Sequence, residues 1–140
     1  MTGLIRKLCS TKLFPLLWTV LTIVLLCLPG SAFPDEGSLF GFEEFDHFDK
    51  FVHVILFGGF VLFWSLNRQI HIKEYRQWLK VIMVITAISI VLGVGLEYIQ
   101  LYFISNRDFD GYDIIADTAA SLVVAVLLVI FGSASKKPSG

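Results

Sequence analysis

Charge is scarce in this chain. Lys, Arg, Asp and Glu make up 16% of its 140 residues, against roughly a quarter in soluble globular domains. With 56% hydrophobic residues and a mean hydropathy of +0.76, an ordinary small soluble domain is excluded and a polytopic membrane protein is the natural class. No stretch interleaves basic residues with aromatics, which leaves nucleic acid without a binding surface. No Ser or Cys stands in a recognised nucleophile setting, no glycine loop suits a phosphate, and no His-Glu-x-x-His metal motif occurs. The two cysteines, Cys9 and Cys27, would lie about 27 Å apart along a helix, too far to pair within one chain. Leu26 stands where a lipoprotein cleavage site would want a small residue, so Cys27 reads as a buried, inert thiol.

What the chain does have is four apolar runs, Leu13 to Phe33, Phe51 to Leu66, Val81 to Ile104 and Ile114 to Ser135. Each comes close to the ~20 residues that span hydrocarbon as a helix. The expectation is an all-α protein, one transmembrane domain over residues 1–140 built as a four-helix bundle. The first run also fits a secretory signal peptide, with a basic start and the small residues Gly30, Ser31 and Ala32 near its end. Its apolar stretch is long for that role, and either outcome leaves the other three spans unchanged. Between Gly37 and Phe51, Phe42, Phe45, Phe48 and Phe51 recur every third position with acids between them. That pattern fits an interfacial segment or an aromatic belt at the start of the second span.

The few charges are sorted. Of the eleven Lys and Arg, all but Lys50 and Arg107 fall before the first run, between the second and third, or after the fourth. Of the twelve acids, all but Glu74 fall in the other two loops or at the span ends beside them. By the positive-inside rule the basic loops face the cytoplasm. Both termini are then cytoplasmic, and the acidic loops face outward.

The sorting gathers Asp49, His53, Glu97, Gln100, Arg107, Asp110, Asp113 and Asp117 at one membrane face. Asp49 and His53 are spaced i,i+4, Glu97 and Gln100 i,i+3, and Asp113 and Asp117 i,i+4, so each pair lies along one helix face. Ionisable groups at membrane depth cost at least ~2.5 kcal/mol at the bilayer centre, and each needs a partner or a water-filled cavity. The third span carries a polar and small stripe of Thr86, Ser89, Gly93, Glu97 and Gln100. The fourth answers with Asp113, Ala116, Asp117, Ala120 and Ser121, and the second with Asp49, His53, Phe57 and Phe60 beside Gly58 and Gly59. Small residues permit close helix contact, so these stripes are expected to face one another and leave the first span peripheral.

The cluster admits a purely structural reading. Glu97 would pair with Arg107, Gln100 would bond a neighbouring group, and Asp110 or Asp113 would cap the fourth helix, whose N-terminus favours negative charge. Four functional readings stand beside it. The cluster could bind a polar or anionic ligand through Arg107 and the acids. It could hold a divalent metal on His53 and carboxylates, although no cofactor is firmly implied. It could do acid/base chemistry through Glu97 or His53 on a lipid-linked substrate. Proton or ion movement ranks last, because the polar residues crowd one end of the spans.

Asp49-Lys50-x-x-His53, Glu97-x-x-Gln100 and Arg107-x-x-Asp110-x-x-Asp113, in that order, resemble the VanZ-like family of small bacterial membrane proteins, over about Asp49 to Val124. The family pattern continues with Asn and then Gly three residues on, where this chain has Asp117 and Ala120. The family takes its name from a protein associated with resistance to the glycopeptide teicoplanin. The resemblance implies a cell-envelope role, with membrane lipids and a lipid-linked envelope precursor or glycopeptide as partners. It implies no particular reaction and no oligomeric state.

Overall fold

The computed structural model describes residues 11–29, 48–105 and 108–135, and among these the chain is all-helical. The elements are α1 (Leu13–Leu26), α2 (Phe48–Gln69), α3 (Tyr75–Phe103) and α4 (Gly111–Ser135). Three segments, Lys50–Gln69, Tyr75–Phe103 and Gly111–Gly132, are long and apolar enough to cross a membrane, which marks the chain as membrane-embedded. The 14 residues of α1 rise only about 21 Å, short of the ~30 Å of hydrocarbon.

The first apolar run therefore ends as a helix well before Phe33, which lies outside the described residues along with Phe42 and Phe45. Its stop is local. The Cys27 N–H closes the last turn on the Ile23 carbonyl at 2.9 Å, and Pro29 disfavours helical geometry at Leu28. The other helices outrun their apolar runs. Helix α3 starts at Tyr75 because Arg76, Gln77 and Lys80 are good helix formers that hydropathy does not register. It ends where Ile104 turns to extended backbone. Helix α4 starts at Gly111, directly after a capping aspartate discussed below.

A short link over residues 70–74 turns α2 back into α3, the spacing that makes neighbouring helices antiparallel. The broadest contact in the bundle is α2 on α4, followed by α3 on α4 and α2 on α3. Among the described residues α1 lies on α2, touches α3 and does not reach α4, the peripheral place expected for it. Two indoles fasten it. The Trp18 N–H donates to the Leu56 carbonyl at 2.9 Å, and the Trp64 N–H donates to Thr19 Oγ1 at 3.0 Å. The Trp18 ring lies on Gly59, where a β-carbon would stand 2.6 Å from it. Leu26, Leu56, Phe57 and Leu96 form one packed core and Phe60, Val61 and Ile85 another. At the end of the bundle away from the candidate site, the fully buried Trp78 packs on Gly132, which has no room for a β-carbon. Outward faces present Met83, Val91, Ile115, Val126 and Phe131, apolar surface that lipid can solvate. Cys27 is partly rather than fully buried.

Candidate functional site

The N-terminal turns of α2 and α4 and the C-terminal turns of α3 meet at one end of the bundle. They bring His53, Glu97, Gln100, Asp110, Asp113 and Asp117 together there, as their spacing predicts. His53, Glu97, Gln100, Asp113 and Asp117 are each 3% exposed or less. The stripes do face one another. Ser89 and Ser121 share a hydrogen bond of 2.8 Å at full burial. Gly93 lies so close to Asp117 that a β-carbon there would stand 2.8 Å from Oδ2.

The imidazole of His53 sits against two carboxylates from α4. Its Nδ1 lies 2.9 Å from Asp117 Oδ1, and its Nε2 lies 3.8 Å from Asp113 Oδ2. The i,i+4 spacing of Asp113 and Asp117 places both along the ring. Asp117 is the residue that holds the histidine.

Above this buried layer lies a rim of partly exposed charge. Lys50 Nζ is 2.7 Å from Asp110 Oδ2 and 3.4 Å from Asp113 Oδ1. Lys50 and Asp110 keep about a third of their side-chain surface in solvent, at 31% and 37%. Asp110 is also the N-cap of α4: its Oδ1 accepts the Tyr112 N–H at 2.8 Å, satisfying one of the free donors of the first turn. The Lys50 ammonium first, and the Tyr112 N–H after it, hold the Asp110 carboxyl below its ordinary range.

Glu97 takes a partner the sequence did not indicate. Its Oε1 accepts the backbone N–H of Asp110 at 2.6 Å, which ties the end of α3 to the start of α4. Arg107, expected to pair with it, lies outside the described residues. Asp49 belongs to the first turn of α2, and its side chain lies outside the described residues as well. Gln100 serves packing as well as proximity: its Nε2 donates to the Leu26 carbonyl at 2.8 Å, satisfying one of the four free carbonyls at the end of α1.

Lys50 joins the cluster beside the residues expected there. Its place in Asp49-Lys50-x-x-His53 carried the signal, since i,i+3 spacing puts Lys50 and His53 on one face. Among the described residues no group of three or more His, Cys, Asp and Glu side chains is placed to hold an ion. The donor atoms are engaged instead with Lys50, with the imidazole and with backbone N–H groups.

No protein-family model, curated protein or solved structure matches the chain.

The arrangement can do two things chemically. Its rim presents an ammonium beside carboxylates, a surface that can exchange its internal ion pair for contacts to a polar ligand. Beneath the rim, an imidazole oriented by a carboxylate is equipped to move a proton.

Proposed function

We propose that this chain is a VanZ-like protein of the bacterial plasma membrane that acts in the cell envelope, binding a polar or anionic ligand at the polar end of its bundle. The observation that carries the reading is convergence. Lys50 and His53, Glu97 and Gln100, and Asp110 and Asp113 are the described residues on which the resemblance rests, and three helices gather them at one place. Buried ionisable groups in membrane segments are expensive to keep and mark functional sites by default.

In this reading α1 is a fourth, short span, both termini are cytoplasmic, and the polar end faces outward, as the distribution of Lys and Arg favours. The ligand is the head group of a lipid-linked envelope precursor or of a membrane lipid. Lys50 and Arg107 meet its anionic part, and the carboxylates meet its hydroxyl or ammonium groups. A protein that binds such precursors can shield them from glycopeptides, which gives the role in teicoplanin tolerance its physical form.

A second reading has its own support. The contact of His53 with Asp117 is the base-and-orienter arrangement found in acid/base sites, so an enzyme acting on the same head group is the alternative. Proton or ion translocation stays behind both, because the ionisable side chains crowd one end.

A bacterium with and without the chain tests the envelope role through the teicoplanin dose that stops growth. Protection by the wild type that is lost in Glu97→Gln at equal membrane abundance is the expected result. Equal sensitivity with and without the chain would remove the glycopeptide part. Loss of abundance in the variant would return Glu97 to a packing role.

A further inference from the structure

The two ring nitrogens of His53 have different neighbours. Nδ1 lies 2.9 Å from Asp117 Oδ1, within hydrogen-bond range, whereas Nε2 lies 3.8 Å from Asp113 Oδ2. An ionised carboxylate has no proton to give, so the shorter contact needs a proton on Nδ1. An amide at position 117 would leave the choice open, because its oxygen accepts from a ring N–H while its NH2 donates to a bare ring nitrogen. A carboxylate decides it.

Asp117 is itself held in place. Gly93 opposite it offers no side chain, and a β-carbon there would meet Oδ2 at 2.8 Å and the Asp117 β-carbon at 3.2 Å. The carboxylate therefore rests against the backbone of α3 with His53 on its other side. Phe57, one turn along α2, stacks near-parallel to the imidazole at 6.2 Å and 17°, which restricts the tilt of the ring.

We infer that Asp117 is a positioning residue: seated on Gly93, it keeps a proton on Nδ1 of His53 and turns Nε2 toward Asp113 and the Lys50–Asp110 rim. The inference concerns the histidine itself and holds whichever ligand the site takes, so it goes beyond the binding reading.

The test is nitrogen-15 NMR of histidine-labelled, full-length protein in lipid nanodiscs, with the His53 signals assigned by their loss in His53→Gln. A proton on Nδ1, with or without a second on Nε2, is the expected result. Asp117→Asn should redistribute the proton between the two nitrogens, whereas Asp113→Asn should leave it on Nδ1. A bare Nδ1 in the wild type would overturn the inference, since Asp117 would then carry the proton. An Asp117→Asn spectrum identical to wild type would overturn it too. Should Asp117→Asn fail to fold, the wild-type and Asp113→Asn spectra still decide. Failure of the same nanodiscs to retain any specific lipid would count against the binding reading alone.

Discussion

Gly93 and Asp117 are matched across the contact of α3 and α4: the carboxylate occupies the space a side chain on the glycine would need. Their contact joins packing to chemistry, because the same carboxylate holds His53. Gly93→Ala should lower stability by about 1–3 kcal/mol, the usual penalty for overpacking. Gly95, one turn-fraction further along α3, has nothing within 4 Å of its β-carbon position. Gly95→Ala should be neutral or stabilising by up to ~1 kcal/mol through helix propensity. Thermal unfolding of both variants in one detergent checks the contrast, and equal effects would contradict the close contact.

The Lys50–Asp110 pair is partly exposed, so its coupling should be small. A double-mutant cycle of Lys50→Met and Asp110→Asn is expected to give about 0.2–1 kcal/mol. Asparagine keeps the capping bond to Tyr112, so the cycle isolates the ion pair. A coupling of zero would mean that the rim is not held closed by this contact.

Acid should loosen the rim. Because the Asp110 carboxyl is held below its ordinary range in the folded protein, its stabilising contribution is fully present above the unfolded value. That contribution is lost as pH falls through the depressed folded value. Asp110→Asn should therefore flatten the acid limb of a plot of melting temperature against pH. An unchanged acid limb would assign the acid sensitivity to other groups.

Among the described residues, α1 is tied to the bundle by Trp18, Leu26 and the Gln100 side chain. Gln100→Leu leaves the buried Leu26 carbonyl without its donor, at an expected loss of about 1–3 kcal/mol. Gly59→Val should push the Trp18 ring away from α2. Limited proteolysis before residue 48 should be faster in both variants than in the wild type, and an unaltered rate would mean that other contacts hold α1.

The helical class, the three long helices and the stripe geometry were legible in the sequence, because burial between helices demands small or polar residues at three- and four-residue steps. Ser89 facing Ser121 and Gly93 facing Asp117 follow that rule. Three features were not legible. Hydropathy reads only the apolar middle of a helix, so α3 starts ahead of its apolar run, and α1 ends before its own run does. The partner of Glu97 is a backbone N–H, which leaves no trace in residue identity. Lys50 stands at the start of a span, where a basic residue is ordinarily an interface anchor. Here it bridges two carboxylates of α4.

The proposed topology has its own check. A reporter active only outside the cytoplasm should be active when fused after residue 45 and inactive when fused after residue 72. The reverse pattern would place the polar cluster on the cytoplasmic side and remove the envelope precursor as its ligand.

The central claim is that the polar end binds a ligand as well as holding helices together. Native mass spectrometry of the gently purified protein, compared with Lys50→Ala and Glu97→Gln, tests it most directly. The account predicts a specific lipid or lipid-linked precursor on the wild type that both variants lose while remaining folded. A wild type that carries no specific ligand, with variants that are merely less stable, would contradict it and make the cluster a packing device.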